Sequence, residues 1–281
     1  MINHNGDLTN NDTILKPTNR GFAYGDTLFE TLKVSYGKVL FWEDHYFRLM
    51  ASMRILRMDI PMNFTMEFLE SQLQATIQAN DLGQATTRVK LSVYRHAGGL
   101  YTPEDNGVGF IIQVWPLASD FYLFNDAPYE VDLFKDYYVS PSLLSTLKTN
   151  NKAINVVGSI YAQENTLDNC LLLNTNKHVV EALNGNIFLV KGNDIKTPPL
   201  EDGCLKGVMR KQVLDVIEKS PNYVLIEDHV SPFELQKSDE LFITNVITGI
   251  QPVSKYRKKE FDNQVAKDIF QKVNTLIRLT S

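Results

Sequence analysis

Only two cysteines occur in the 281 residues, Cys170 and Cys204, and they form no CxxC pair. That scarcity excludes a disulfide framework and a cysteine-based zinc site, and no metal is expected. Surplus positive charge is missing too, since 28 Lys and Arg stand against 33 Asp and Glu. A chain of net charge −5 without a basic stripe lacks the electrostatic footprint of nucleic-acid binding. The basic runs Lys255–Lys259 and Arg54–Arg57 read as solvated faces. No apolar run reaches the ~18 residues of a membrane span, and no secretory leader opens the chain. The expectation is a soluble cytoplasmic protein with no membrane partner. The sequon matches Asn11-Asp12-Thr13 and Asn63-Phe64-Thr65 are then chance occurrences. GxxxxGK[ST] and GxGxxG are both absent, which removes the P-loop and the dinucleotide fingerprint.

Apolar residues are plentiful by contrast. At 43%, they suffice for one large core or two ordinary ones. Asn5-Gly6 is a hairpin turn within a polar opening segment, residues 1–19. Phe29, Thr31, Lys33 and Ser35 alternate with Glu30, Leu32 and Val34, which predicts a strand, and Val39 to Trp42 follows as its hairpin partner. Asp44 is placed to cap a helix carrying Phe47, Leu49, Met50, Met53 and Leu56, and Thr65 to Asn80 repeats the helical spacing. Strands are expected at 87–95 and 109–115. Pro116 breaks the pattern, so 1–115 reads as an N-terminal α/β domain, 116–121 as a linker and 122–281 as a C-terminal domain. In the latter, a strand at 130–139 precedes a loop and a helix at about 151–165. Strands at 170–174, 178–182 and 187–191, a helix at 208–219, a strand at 223–230, a short helix at 232–237, a strand at 240–245 and an amphipathic helix at 260–279 complete it. Strands and helices are grouped rather than strictly alternating, an α+β arrangement within the wider α/β class.

Three features between Leu143 and Arg210 carry chemistry. Lys148 lies in the loop SPSLLSTLKT; a lysine in an apolar pocket has a lowered pKa and can condense with an aldehyde. An exposed loop lysine is the plain alternative. Glu181, in VVEALNGNIF, sits among apolar neighbours, and a carboxylate buried there needs a partner. A protonated pyridine nitrogen would be one, whereas a solvent-side strand residue is the plain reading. Gly207, before Val208, Met209 and Arg210, opens a helix whose first amides can converge on an anion; an ordinary cap has the same pattern.

The ordered segments RGFAYGDTLFET, DHYFRL, LKTNN, EALNGNIF, TPPL with GCLKGVMR, and TNVITGIQPV resemble the successive motifs of the class IV (fold-type IV) pyridoxal-phosphate enzymes. That family includes branched-chain aminotransferases, D-amino-acid aminotransferases and 4-amino-4-deoxychorismate lyase. The resemblance runs from about Arg20 to Val253. It implies a two-domain fold, with a smaller N-terminal α/β domain and a larger C-terminal domain having a β-barrel-like core. It also implies pyridoxal 5′-phosphate held between the domains, a homodimer, and a small amino-acid-like substrate. Residue by residue, it gives Lys148 the Schiff-base role, with Lys152 as the nearby competitor, and Glu181 the ring-nitrogen contact. Arg48 is given to the phosphate, with Gly207, Val208 and Met209 as a phosphate-binding turn and Asn245 and Val246 as further cofactor-binding residues. Met209 stands where many aminotransferases have threonine.

Three local features resemble the lyase more than the aminotransferases. Phe29-Glu30-Thr31 ends in threonine where branched-chain aminotransferases show FEG, and that hydroxyl could assist proton transfer beside the lysine. TNVITGIQPV is similar to the lyase's TNALxGIxPV, and RHAGGLYTPEDN to its R-x-x-G-G-x-x-Y-x-P loop. Thr27, in place of the usual glycine of YGDG, and Lys152, where arginine often follows LKxLN, depart from the pattern. The implied activity is release of pyruvate and 4-aminobenzoate in folate biosynthesis. An aminotransferase of branched-chain or D-amino acids and a non-catalytic scaffold are the competing readings. Substrate contacts are expected from Tyr24, Arg95, Tyr101 and the Val246 to Thr248 turn, with Arg95 as a carboxylate receptor.

Overall fold

The computed structural model describes residues 1–11 and 13–280, which form two compact units. The first contains residues 1–121 and 148–151, and the second 122–147 and 152–280. The Asn11-Asp12-Thr13 match includes Asp12, which lies outside the described residues.

In the first unit the elements are β1 (Ile2–His4), β2 (Asp7–Thr9), α1 (Arg20–Tyr24), β3 (Thr27–Ser35), β4 (Lys38–Val39), α2 (Trp42–Ile55), α3 (Met66–Gln78), β5 (Thr87–Arg95) and β6 (Val108–Pro116). The strands form one antiparallel sheet in the order β2-β1-β6-β5-β3-β4. Asn5 and Gly6 both take positive φ, as a two-residue hairpin loop requires. α2 packs on β3 and α3 on β6. Leu28, Leu32, Val89, Leu91, Phe110 and Ile112 supply the buried sheet side, and Leu49, Met53, Leu69 and Leu73 the helix side. Because successive strand residues point to opposite faces, Phe29, Thr31 and Lys33 share the other face with Lys90, which pairs with Thr31.

Two local expectations fail here. Val39 to Trp42 does not continue as a strand, because Phe41 turns left-handed (φ 56°) and Trp42 begins α2. Asp44 therefore lies inside the first turn beside Glu43, favourable for the helix dipole, rather than at the cap. The segment 148–151 is a further difference from the expected division. β4 pairs only with Val34 and Ser35, so the start of β3 keeps an open edge. That edge is filled: Phe29 N–H donates to Lys148 O (2.9 Å), Asn150 N–H donates to Thr27 O (3.0 Å), and Leu28 bridges to Thr149.

The second unit comprises β7 (Glu130–Val139), α4 (Ala153–Glu164), β8 (Asn169–Asn174), β9 (Val179–Ala182), β10 (Asn186–Lys191), β11 (Asp194–Thr197), α5 (Val208–Glu218), β12 (Val224–Glu227), α6 (Pro232–Lys237), β13 (Glu240–Asn245), β14 (Gly249–Val253), β15 (Lys255–Tyr256), β16 (Lys259–Glu260) and α7 (Gln264–Thr280). Its two mixed sheets run β12-β11-β10-β13-β14 and β16-β15-β7-β8-β9. Val131, Leu133, Leu171, Leu173, Ile187, Leu189, Leu241 and Ile243, drawn from both sheets, form one core. α5 and α7 pack on the first sheet, and α4 on β7 and β8 of the second. The loop before Lys148 holds a single 3-10 turn, Leu143–Thr146, closed by a reciprocal Ser142–Ser145 capping box. The last helix starts later than its periodicity suggests, at Gln264, because Lys259–Glu260 is spent on β16. Glu240 then accepts hydrogen bonds from the amides of Val265 (2.8 Å) and Ala266 (2.9 Å). The strand expected at 223–230 is cut to Val224–Glu227, whose parallel pairing with β11 ends at Thr197.

Candidate active site

In the first unit, β3 carries chemistry on both faces. On the helix-covered face Glu30 is 1% exposed. Its carboxylate accepts hydrogen bonds from His45 Nδ1 (2.7 Å), Arg48 Nε (2.8 Å) and Arg48 Nη2, both partners lying on α2. His45 and Arg48 are one helical turn apart, so one carboxylate meets both. Burial pushes the Glu30 carboxyl up, but Arg48 and His45 together outweigh it and hold it at about 2. Burial also lowers the pKa of His45 despite Glu30; its Nδ1 donates to the carboxylate and its Nε2 has no hydrogen-bond partner. Arg48 thus has its Nε and Nη2 edge fixed by a charge-assisted pair.

On the opposite face, Lys148 Nζ lies 4.5 Å from the centroid of the Phe29 ring, and Lys90 Nζ 5.1 Å from it. Thr31 is two residues along the same face and 8% exposed. Burial lowers the pKa of Lys90, with Arg88 adding to the effect. Lys148 is set by backbone pairing to an edge strand rather than by a floating loop, which is how a lysine side chain acquires a fixed base.

Arg95 has a setting different from the expected carboxylate receptor. It is 6% exposed and its fork is spent on Asp26 Oδ2 (2.8 Å), Asn106 Oδ1 (2.7 Å) and the carbonyls of Leu56 and Arg57. Asp26 Oδ2 also accepts from Arg20 Nε (3.0 Å), while the remaining nitrogens of Arg20 bond the carbonyls of Gly98, Leu100 and Tyr101. Arg20, Asp26 and Arg95 are therefore a buttress for the 98–101 loop. The loop's tip remains outward: Tyr101 is exposed, with Tyr24 beside it at 5.8 Å between centroids and the Arg20 guanidinium over the Tyr24 ring. Gly25 closes α1 in the left-handed conformation (φ 65°), the usual place for glycine.

In the second unit Glu181 sits in β9, nearly buried, and its Oε2 accepts the Leu205 N–H at 2.9 Å. The same turn is held from β10, where Asn186 Nδ2 donates to Leu205 O (2.9 Å). A Cβ on Gly207 would collide with Asn186 Oδ1, so a side chain there would have to displace the Asn186 amide that bonds Leu205. Gly207 is the N-cap of α5 and no side chain caps the helix. The amides of the first turn, from Val208 and Met209 onward, therefore have no side-chain cap, the condition under which a helix start attracts an anion. At the end of β13, Asn245 Oδ1 accepts from the amides of Ile247 (3.0 Å) and Thr248 (2.9 Å), and Val246 O accepts from the Tyr122 hydroxyl (2.7 Å). Asn245 shapes the 246–248 turn with its side chain and leaves the backbone to present it.

Each unit by itself carries donors of the kinds pyridoxal phosphate takes: in the first, a lysine on a fixed backbone and an arginine oriented by a buried carboxylate; in the second, a carboxylate bonded to an amide and a helix start without a side-chain cap. Glu30, His45 and Asn186 were not singled out from the sequence as site residues. Each lay inside a motif, but a glutamate in a strand or an asparagine in a turn has no spacing signature that discloses its partner.

The family model described as Amino-transferase class IV matches residues 27–256. A putative branched-chain-amino-acid aminotransferase of Methanocaldococcus jannaschii is 29% identical over 258 residues, 90% of this chain and 86% of that one. An aminodeoxychorismate lyase of Vibrio harveyi is 26% identical over 237 residues, 84% of each chain. Among solved structures, the branched-chain aminotransferase of Thermoproteus uzoniensis superimposes with a TM-score of 0.88 at 21% identity, over 98% of this chain and 94% of that one, which shows the shared fold. The chain belongs to the class IV aminotransferase family, enzymes that work through pyridoxal phosphate.

Proposed function

We propose that this enzyme is a lyase that releases pyruvate from 4-amino-4-deoxychorismate and leaves 4-aminobenzoate. The observation that carries the reading is Thr31, a hydroxyl on the sheet face that also holds Phe29 beneath the Lys148 ammonium. Pyridoxal phosphate, when bound, supplies an aldehyde for the substrate amine and a ring that withdraws electrons from the carbon bearing it. Lys148, freed by the incoming amine, takes the proton from that carbon. The electron pair breaks the bond to the ether oxygen and expels the three-carbon group as the enolate of pyruvate, which takes up a proton at its methylene carbon, and the carbocycle becomes aromatic. Thr31 orients and relays the proton at Lys148 Nζ. Glu181 would pair with the pyridine nitrogen, and Arg48 with the turn at Gly207 and the amides of Val208 and Met209 would hold the phosphate. Asn245 would fix the turn that presents Val246 to the cofactor. Tyr24, at the end of α1, and Tyr101, on the exposed loop, are the substrate-side contacts retained; Arg95 serves that loop from behind.

The likeness to the Vibrio harveyi lyase and the motifs of residues 29–31, 95–106 and 244–253 support this reading. The likeness to the Methanocaldococcus jannaschii aminotransferase supports a second one, amino transfer from branched-chain or D-amino acids to 2-oxoglutarate. Aminodeoxychorismate given to the purified enzyme should yield pyruvate and 4-aminobenzoate in equal amounts. Glutamate formation from leucine or D-alanine, with no 4-aminobenzoate from aminodeoxychorismate, would overturn the lyase assignment. The proposal includes a homodimer, which light scattering checks against twice the 32.0 kDa chain mass. A cytoplasmic location and a step in folate biosynthesis belong to the same reading; no described helix is long and apolar enough to cross a membrane.

A further inference from the structure

Away from the residues discussed so far, the second unit gathers His178, Asp202 and His229, whose ligand-type atoms all lie within 4.8 Å of one another. Asp202 Oδ1 is 3.2 Å from His178 Nδ1 and 2.9 Å from His229 Nδ1; Oδ2 is also 2.9 Å from His229 Nδ1. The two imidazoles stack with centroids 4.6 Å apart and planes 29° apart, so both Nδ1 atoms face one carboxylate. The backbone places both rings on one face. Val179 and Val230 form an antiparallel bridge, with Val179 N–H donating to Val230 O at 2.8 Å, so His178 and His229 project from the same face as diagonal neighbours. Asn174 fixes the other two members: its Oδ1 accepts the His178 N–H (3.0 Å), and its Nδ2 donates to Asp202 O (3.1 Å) and Oδ1 (3.2 Å).

We propose that His178, Asp202 and His229 bind one divalent transition-metal ion of the zinc class, through Nδ1, a carboxylate oxygen and Nδ1, with water completing the coordination. Two imidazoles and one carboxylate are the donor set that such ions take, with bonds of about 2.0–2.2 Å. Ligand atoms on a tetrahedron of that size stand about 3.3 Å apart, so the two carboxylate–imidazole distances need an outward adjustment of only a few tenths of an ångström, and the whole donor set already lies within 4.8 Å. The side chain of Asp202 is buried while that of His229 is about half exposed (56%), which anchors the site inside and leaves its outer side to water. Asn174 holds the carboxylate and the His178 backbone, the outer-shell support that orients metal ligands. The three positions are 24 and 27 residues apart in the chain, so no local spacing motif announces them. Bound metal also ties down the turn that runs from Asp202 to Leu205, whose amide is bonded to Glu181.

Zinc chloride titrated calorimetrically into tag-free holoenzyme should bind one ion per chain. His229→Ala, at an exposed position, and His178→Gln should each weaken binding at least about tenfold with an unchanged circular dichroism spectrum. His96→Ala, at the exposed His96–Asp105 pair, should leave it unchanged. Absence of binding at millimolar zinc, or equal affinity in wild type and both His178 and His229 variants, overturns the proposal.

Discussion

A single buried carboxylate, Glu30, decides how Arg48 is presented. Its folded pKa is depressed from 4.5 to about 2, so its contribution to stability is full above the unfolded value and is lost as pH falls from about 4.5 towards 2. A depression of that size corresponds to roughly 3 kcal/mol. Glu30→Gln should therefore cost most near neutral pH, and the stability gap to wild type in denaturant titrations should narrow below about pH 4.5. A gap that stays constant from pH 7 to pH 3 would show that the Arg48 and His45 contacts do not set the titration. Lys148 lends itself to a simpler measurement. Lys148→Ala should lower turnover at least about 100-fold, the scale of a lost general base, and should abolish the visible absorbance of the protein-linked cofactor. A bound-cofactor band that survives the substitution would move the covalent role to Lys152.

At the level of elements, the turn between β11 and α5 depends on fit rather than on backbone conformation. Gly207 has an ordinary φ of −71°, and what forbids a side chain is the Asn186 amide already occupying its space. Gly207→Ala should weaken pyridoxal-phosphate affinity about tenfold or more in fluorescence titrations, because the α5 amides shift with the turn. Asn186→Ala removes the obstacle along with the Leu205 bond. The double variant should bind better than the sum of the two single losses predicts, the non-additivity expected of contacting residues. Elements of this kind were legible in outline. Periodicity located α3, β5, β6, β7, α6 and β13 because each has one apolar face and clear stops. It misjudged the β3–α2 junction, where Phe41 adopts a left-handed conformation that no turn residue signals, and the start of α7, where tertiary pairing of β16 claims residues with helical spacing. Lys148, Glu181 and Arg48 are proposed from ordered motifs, whereas their supports, the Glu30 carboxylate, the β3 edge and the Leu205 amide, are long-range partners invisible to spacing. Arg95 erred for the same reason, since a guanidinium reads as a receptor until Asp26 and Asn106 are seen to occupy it.

For the whole molecule, the proposed cofactor contacts are scattered along the chain, at Thr31, Arg48, Lys148, Glu181, Gly207–Met209 and Asn245–Val246. None of these positions is close to another in sequence except within the two turns, so an unfolded chain cannot reproduce them. A ligand that binds only the folded state raises stability by about 2.7 kcal/mol at a hundredfold excess over its dissociation constant. For a chain of this size each kcal/mol moves the melting temperature by about 2–4 °C. Holoenzyme should accordingly melt roughly 5–10 °C above cofactor-free protein in differential scanning calorimetry, with the difference growing as free pyridoxal phosphate is raised. Lys148→Ala keeps Glu181, Arg48 and the α5 amides, and should retain a smaller, concentration-dependent part of that rise. Equal melting temperatures with and without cofactor would mean that these residues hold no cofactor together, and the enzyme assignment would then lose its structural basis, leaving a scaffold with the family fold.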